Sequence, residues 1–283
     1  MRLPFYQVDA FTDRPFAGNP AAVCPLERWL PDATLLAIAA ENNLSETAFF
    51  VPRGEDYDLR WFTPAIEVDL CGHATLATAK VVFECLRPSA ERVRFHSKSG
   101  PLAVCRKGAL LELDFPARPP APAAPGAELA ASLRARPAET LRSPTLWLAV
   151  FEGEREVRAL APDFARMKTL EGLGVIATAP ADGARQGAAV DFVSRFFAPS
   201  AGIDEDPVTG SAHCVLVPYW AKRLGKEVLH ARQVSARGGE LWCEDKGERV
   251  AIAGYAVVPV HGPSGMSAGF GWPRSEATHA CSR

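Results

Sequence analysis

The sequence lacks the features that mark several common classes of protein. Nowhere in its 283 residues do 18 apolar residues follow one another, so we predict no membrane-spanning helix. The formal net charge is only −2 and no long basic run occurs, which argues against nucleic acid and anionic membrane surfaces as partners. The chain enters a strand pattern at once, without an apolar signal segment, so we expect a cytoplasmic protein.

Motifs for common cofactors are also missing. No Gly-x-Gly-x-x-Gly turn follows a strand, no phosphate loop occurs, and there is no His-Glu-x-x-His metal motif. The seven cysteines are odd in number and never form a Cys-x-x-Cys pair, which disfavours a disulfide framework or a structural zinc site. The sequence therefore predicts chemistry that uses no cofactor and no bound metal.

What the sequence does contain is one arrangement that occurs twice. In each half, an aromatic strand end that finishes in proline leads through an acidic stretch to a glycine turn, and the turn opens an apolar helix. The free N–H groups and the dipole at the start of such a helix attract anions. Two such turns predict a duplicated domain with one ligand between the copies. The matching segments are 60–64 with 71–73, and 195–199 with 210–211.

Further matches support the duplication and set the predicted boundaries. Residues 97–102 match residues 236–241, and the same spacing aligns Lys107 with Lys246. Each copy should be a mixed α and β unit whose strands surround one buried helix, because residues 74–82 and 212–220 are apolar nearly all round. We predict a first domain over 1–117, a Pro- and Ala-rich linker over 118–125, a second domain over 126–261, and a Gly-, Pro- and Ser-rich tail of unassigned role over 262–283.

Three polar residues are candidates for proton transfer in the predicted cleft. Glu46 lies in an apolar strand pattern, where a single acid is more typical of a solvated strand face. The corresponding segment of the second half, 174–178, has no acid, which favours a functional reason for Glu46. His73 fits a helix cap or acid/base chemistry, and Asp206 fits an Asp-Pro turn or the same chemistry. A carboxylate in a water-poor cleft has a raised pKa, which suits proton exchange near neutral pH.

Cys71 stands apart from the other cysteines. It precedes a helix, where the positive end of the helix dipole would stabilise a thiolate and make it reactive. The alternative is a buried, inert thiol that packs beneath the turn.

At these residues the chain resembles the PhzF family of phenazine biosynthesis, which shares the diaminopimelate epimerase fold. The resemblance implies an α+β fold of two similar domains, each a barrel-like, mostly antiparallel sheet around a central helix, related by a pseudo-twofold axis and commonly assembled as a homodimer. It covers both halves of the chain. The segments that carry it are 8–12, 16–23, 44–49, 71–75 and 205–212.

The resemblance also implies a cofactor-independent isomerase acting on a small carboxylic acid. In the best-known member the substrate is trans-2,3-dihydro-3-hydroxyanthranilate. By this resemblance Glu46 would shuttle a proton, assisted by His73 and Asp206. The residues that would bind substrate, chiefly its carboxylate, are Ser45, Gly72, Gly210 and Ser211.

Two other functions stay open at this point. Related epimerases and proline racemases use two opposed cysteines, one in each half, whereas this chain has Cys71 in the first turn and Gly210-Ser211 in the second. Half of the thiol pair is missing, which leaves a thiol-assisted racemase or epimerase using Cys71 with Glu46. A small-acid-binding protein without catalysis is the other alternative.

Overall fold

The computed structural model describes residues 3–124, 126–183 and 189–261. The chain forms two compact units: one contains Met1–Asp114 and the segment that begins at Ala253, and the other is Phe115–Ile252. The predicted tail, 262–283, lies outside the described residues. In the part of the chain that is described, no helix is long and apolar enough to cross a membrane.

The helices and strands follow in chain order. The first part contains β1 Tyr6–Ala10, β2 Asn19–Pro25, α1 Asp32–Asn42, β3 Glu46–Arg53, β4 Asp56–Phe62, β5 Glu67–Val68, α2 Gly72–Val81, β6 Arg92–Ser97, β7 Gly100–Lys107 and β8 Leu110–Pro116. It continues with β9 Ala121–Pro122, α3 Ala127–Leu133, β10 Glu139–Arg142, β11 Leu146–Val150, α4 Glu154–Ala159, α5 Phe164–Met167, β12 Gly174–Pro180, β13 Phe192–Ala198 and β14 Ile203–Asp206. The last elements are α6 His213–Leu224, β15 Val228–Gln233, β16 Gly239–Asp245, β17 Arg249–Gly254 and β18 Ala256–His261.

The strands of the first unit form a mostly antiparallel sheet. Antiparallel pairs join β1 with β2, β3 with β4, β6 with β7, and β7 with β8. The pairs β2 with β3 and β4 with β6 are parallel. The first two strands therefore form a hairpin. The sheet is closed on one side by β18, which pairs antiparallel with β1.

The position of β18 differs from the predicted boundary. The sequence placed residues up to 261 in the second domain, whereas β18 adds to the first unit. Pairing with β18 covers an edge of β1 that would otherwise present free N–H and C=O groups. The predicted linker also differs, because its residues Ala121–Pro122 form β9 and pair with β10 inside the second unit.

Helix α2 is the buried centre of the first unit, as its composition predicts. Nine of its ten residues are buried, and it packs against β1, β2, β3 and β18. Small Ala and Thr side chains let strands approach from every side. The hydroxyls of Thr75 and Thr78 donate to the carbonyls four residues earlier, at 2.5 and 2.7 Å, so these buried polar groups are satisfied within the helix.

Helix α6 has the same place in the second unit. Its residue Trp220 stacks on Phe192 of β13 with ring centroids 5.5 Å apart, and the indole N–H donates to the Thr178 hydroxyl of β12 at 3.0 Å. Strands β15 and β16 pack on other sides of the helix. Both predicted central helices are therefore confirmed.

An ion pair repeated in both units shows how closely the duplication is kept. In the first unit, Arg60 binds Glu67 through two parallel hydrogen bonds of 2.7 and 2.8 Å. In the second, Arg195 binds Glu205 through the same pair of atoms at 2.7 and 2.8 Å. Each guanidinium also lies about 5 Å from the ring of the phenylalanine two residues further along. This pair ties the strand end to the acidic stretch before each central helix.

Candidate active site

The first unit brings together two of the predicted catalytic side chains. Glu46 begins β3, next to Ala21 of β2, and His73 is the second residue of α2. Oε2 of Glu46 lies 3.1 Å from Nε2 of His73, and the two side chains are only 12% and 5% exposed. The two atoms are at ion-pair distance, but they lack the angular alignment of a hydrogen bond, and each is buried without another hydrogen-bond partner.

Two further residues hold the other side of the His73 ring. Nδ1 of His73 lies 3.2 Å from the amide Nδ2 of Asn19 and 3.5 Å from Sγ of Cys71. Asn19 begins β2 and follows Gly18, whose φ of +63° and close approach to the Ala10 carbonyl leave no room for a side chain. Sequence reasoning did not select Asn19, and its position directly after such a glycine is the local signal that could have found it.

The burial of this cluster decides the charge states of its members. Burial raises the pKa of Cys71 to about 11, and the negative charge of Glu46 adds to this effect. The thiol is therefore protonated near neutral pH, in contrast to the thiolate that its place before a helix suggested. Burial opposes a charge on His73, but the neighbouring Cys71 and Glu46 outweigh it and raise the pKa of His73 well above its ordinary value.

In the second unit, Asp206 belongs to a buried network of hydrogen bonds. The Thr209 hydroxyl donates to Oδ2 of Asp206 at 2.5 Å. Gln233, at the end of β15, clamps the same turn: its Nε2 donates to the Asp206 carbonyl at 2.7 Å and to the Thr209 hydroxyl at 3.3 Å. Its Oε1 accepts from the Thr209 N–H at 2.9 Å. Sequence reasoning missed Gln233, because nothing in the local pattern links it to a turn more than twenty residues earlier.

The predicted substrate-binding residues divide between the two units. Ser45 directly precedes β3, and Gly72 opens α2 in the first unit. Gly210 and Ser211 lie in a short 3₁₀ turn, Gly210–Ala212, that leads into α6 in the second unit. Both glycines are buried and both serines are partly buried. The structure thus joins Glu46, Cys71 and His73 in one cluster, and Asp206 with the residues around Thr209 in another.

His213 packs at the start of α6, close to the same turn. Its Nδ1 lies 2.9 Å from the Thr209 carbonyl, and its ring packs near Phe192 with centroids 6.0 Å apart. Burial lowers the pKa of His213 to about 4, so the ring is neutral at neutral pH.

Comparison with known proteins finds similar chains over nearly the whole sequence. Residues 8–262 match the family PhzC-PhzF, described as phenazine biosynthesis-like protein. An uncharacterized isomerase of Pseudomonas aeruginosa is 54% identical over 262 residues, covering 93% of this chain and 98% of that protein. A crystal structure of a PhzF-family phenazine biosynthesis protein from Enterococcus faecalis is 49% identical, covers 93% of this chain and 98% of that one, and superposes with a TM-score of 0.87.

A more distant structure supports the fold alone. A predicted epimerase of Pseudomonas aeruginosa is 18% identical, with a TM-score of 0.72 over 94% of this chain and 100% of that one. The α+β, epimerase-like fold is thereby confirmed. With a family match that spans nearly all of the described residues, the chain belongs to the PhzC-PhzF family of phenazine biosynthesis-like proteins.

Proposed function

We propose that this protein is a cofactor-independent isomerase that moves a proton within a small carboxylic acid. The observation that carries the proposal is the buried approach of Glu46 to His73, at 3.1 Å between Oε2 and Nε2. A buried carboxylate beside an imidazole is a group that exchanges protons with a bound molecule. The names of close relatives, which are called uncharacterized isomerases, support the same reaction class.

The duplication supplies an independent argument for Glu46. Glu46 lies beside Ala21 on β2, and in the second unit the same register places Gly174 beside Leu146. A Cβ at Gly174 would lie 2.5 Å from the Phe197 carbonyl oxygen, so no side chain fits there. The second unit therefore folds without a carboxylate at the position that corresponds to Glu46. The presence of Glu46 in one unit only supports a functional role.

The proposed reaction has two proton-transfer steps. Glu46 removes a proton from a carbon of the substrate, so the C–H bond breaks, an O–H bond forms, and the electron pair passes into the conjugated system of the substrate. Glu46 then returns the proton to another carbon. His73 lies beside the reacting carboxylate, and its pKa, raised by the neighbouring Cys71 and Glu46, favours a positively charged ring at that position.

The other predicted residues have supporting roles in this proposal. Substrate binding is assigned to Ser45 and Gly72 in the first unit and to Gly210 and Ser211 in the second, since the N–H groups at helix starts attract anions such as a carboxylate. Asp206, whose Oδ2 accepts a hydrogen bond from Thr209, would assist proton transfer. We infer a substrate of the trans-2,3-dihydro-3-hydroxyanthranilate type, and that the active protein is a homodimer.

The test is a screen of small unsaturated carboxylic acids for turnover by the wild-type protein and by Glu46→Gln. The variant keeps the shape of the side chain and removes the proton acceptor. We expect a loss of turnover of about 10²- to 10⁴-fold with nearly unchanged binding. A variant with full activity would refute the role of Glu46, and an acid that binds without any turnover would favour the non-catalytic alternative.

The thiol-assisted racemase is the second candidate, favoured by the contact of Cys71 Sγ with the His73 ring at 3.5 Å. Its weakness is the raised pKa of Cys71, which leaves little nucleophilic or basic thiolate. Cys71→Ser separates the two functions. The isomerase retains most of its turnover in this variant, whereas racemase activity would disappear.

A further inference from the structure

The cluster of Glu46, Cys71 and His73 has a chemistry that proton transfer alone does not use. A carboxylate oxygen, a thiol sulfur and an imidazole nitrogen, one from each residue, all lie within 4.8 Å of one another. Glu46 begins β3, whereas Cys71 and His73 lie at the start of α2. The sequence therefore shows no metal-binding motif that contains all three residues. From this geometry we infer that the cluster is a binding site for a thiophilic divalent cation such as Zn²⁺, and that the bound ion inhibits the enzyme.

Each of the two measured donor separations, taken alone, is close to the distance between neighbouring ligands of one bound ion. Zn–S, Zn–N and Zn–O bonds of about 2.3, 2.0 and 2.1 Å place tetrahedral N···O and S···N neighbours about 3.3 and 3.5 Å apart. Oε2 of Glu46 is 3.1 Å from Nε2 of His73, and Sγ of Cys71 is 3.5 Å from Nδ1. Because the two contacts use different ring nitrogens, one ion takes one nitrogen and draws the remaining donor inward by about 1 Å, within reach of a side-chain adjustment.

The hydrogen bonding of the cluster also points to a missing partner. Glu46 Oε2 and His73 Nε2 are buried and face each other at 3.1 Å, and neither makes a well-aligned hydrogen bond. Buried polar atoms normally have one, so two such atoms in contact mark a place that a bound species would satisfy. At the other edge of the ring, the amide nitrogen of Asn19 lies 3.2 Å from Nδ1 and holds the imidazole in place.

The type of donor selects the type of ion. One thiolate and one carboxylate balance the two positive charges of the cation, so the occupied site carries no net charge in its buried surroundings. Binding releases the thiol proton of Cys71 to solvent. Sulfur and imidazole ligands favour Zn²⁺ and Cd²⁺, whereas Mg²⁺ and Ca²⁺ require more oxygen ligands than the cluster offers.

Inhibition follows from which atoms the ion occupies, and this part rests on the proposed function. A metal bound to Glu46 takes the oxygen lone pair that would accept the substrate proton. The cation is thus a competitor of catalysis at this site, and removal of the ion by a chelator restores turnover.

The test uses Cd²⁺ as the probe, because a cadmium–thiolate bond absorbs in the ultraviolet. The full-length wild-type protein should bind one Cd²⁺ with this absorption, and Cys71→Ser should lose the absorption. Glu46→Gln and His73→Gln should each weaken Cd²⁺ binding by at least about tenfold, the lower limit for the loss of even an outer partner. Mg²⁺ should not compete.

A matched control comes from the only other cysteine with a histidine two residues away in the sequence. Cys281 follows His279, and Cys281→Ser should leave the cadmium signal unchanged. A signal that disappears with Cys281 or persists in Cys71→Ser overturns the proposal. If Cys71→Ser does not fold, crystals of the wild-type protein soaked in Zn²⁺ decide: anomalous scattering within bonding distance of Sγ of Cys71 supports the site, and scattering only elsewhere refutes it.

The outcomes for metal binding and for the proposed function are separable. Cadmium absorption that depends on Cys71, without any effect on turnover, would keep the metal site and refute the role of Glu46 and His73 in the reaction. Turnover that depends on Glu46, with no Cd²⁺ bound at the cluster, would keep the function and refute the metal site.

Discussion

The turns before the two central helices share a frame and carry different side chains. The same bidentate Arg–Glu pair braces each turn, Arg60 with Glu67 and Arg195 with Glu205. Beside these turns, each unit has buried polar residues that the other unit lacks. Glu46 faces His73 in the first unit, and Gln233 clamps Asp206 in the second. The Arg–Glu pair, which both units share, is a requirement of the fold. The polar residues that differ between the units therefore indicate functional positions.

The remaining positions around the turns show the same division. Counting from the two helix-opening glycines, Thr209 stands where the first unit has Cys71, Ser211 where it has His73, and His213 where it has Thr75. Thr75 and His213 make an equivalent contact, each to the carbonyl four residues earlier. A hydroxyl and an imidazole can both make this contact, so its role is structural. The Cys71–His73 pair has no equivalent in the second unit, where Thr209 and Ser211 occupy the two positions.

The largest effect is expected from exchanging the residues that begin β3 and β12. Glu46→Gly should reduce turnover by about 10²-fold or more, because it removes the proton acceptor. Gly174→Ala should leave turnover nearly unchanged and destabilise the protein by about 1–3 kcal/mol, because the added Cβ meets the Phe197 carbonyl. Steady-state kinetics and urea unfolding of both variants check this. Equal losses of turnover in the two variants would contradict a functional difference between the two positions.

The Gln233 clamp should be the next largest contribution. Gln233→Leu removes three hydrogen bonds from a fully buried turn, and we expect a loss of about 2–3 kcal/mol of stability and a lower kcat. The residue at the same register in the first unit is Ser97, since Ser97 pairs with Gly100 as Gln233 pairs with Gly239. Ser97→Ala, the control, should change stability by less than about 0.5 kcal/mol. Denaturant unfolding of both variants measures the contrast.

A smaller and symmetric effect is expected from the repeated ion pair. Arg60→Ala and Arg195→Ala should each cost about 2 kcal/mol, because each removes a pair of charge-assisted hydrogen bonds from a largely buried carboxylate. Unfolding free energies that differ widely between the two variants would show that the shared frame is not equivalent in the two units.

The same pair predicts acid sensitivity. Its hydrogen bonds to Arg60 lower the pKa of Glu67 from 4.5 to about 2, despite some opposing desolvation. A carboxyl group whose pKa is lowered by folding stabilises the folded state above pH 4.5, and this stabilisation is lost as the pH falls toward 2. Arg60→Ala should flatten the fall of the unfolding free energy in that window, and an unchanged slope would contradict the assignment.

The smallest effect concerns His213. Its pKa falls from 6.5 to about 4 by burial, so the unfolded chain binds a proton that the folded chain does not, and stability is lost as the pH falls from 6.5 toward 4. Replacing it by the residue of the first unit, His213→Thr, should remove this slope at little cost in stability near neutral pH. Urea unfolding across that range provides the measurement.

Much of this organisation could be predicted from the sequence, for physical reasons. The two buried helices were evident because residues 74–82 and 212–220 lack a polar face. Glu46 could be selected because aligning the two halves of the sequence shows an acid at this position in the first half only. The start and end of α1, at Asp32 and Asn42, follow from Pro31 before it and a left-handed Asn43 after it.

Contacts between distant residues could not be predicted in the same way. Asn19 meets His73 across 54 positions, and Gln233 reaches Asp206 across 27, because strand register brings them together. Hydrophobic patterns specify which face of a strand is buried and do not specify which strands are neighbours. For the same reason, the sequence did not predict that β18 pairs with β1. The raised pKa of Cys71 depends on complete burial, which its place before a helix did not reveal.

The most direct test of the central claim is the transfer of solvent deuterium to carbon. A small unsaturated carboxylic acid that the protein binds is incubated in heavy water with the wild-type protein and with Glu46→Gln, and the recovered acid is analysed by mass spectrometry and NMR. If Glu46 is the group that moves the proton, the wild-type protein incorporates deuterium at the carbon that receives it, and Glu46→Gln does not. Equal incorporation by both proteins would contradict the account.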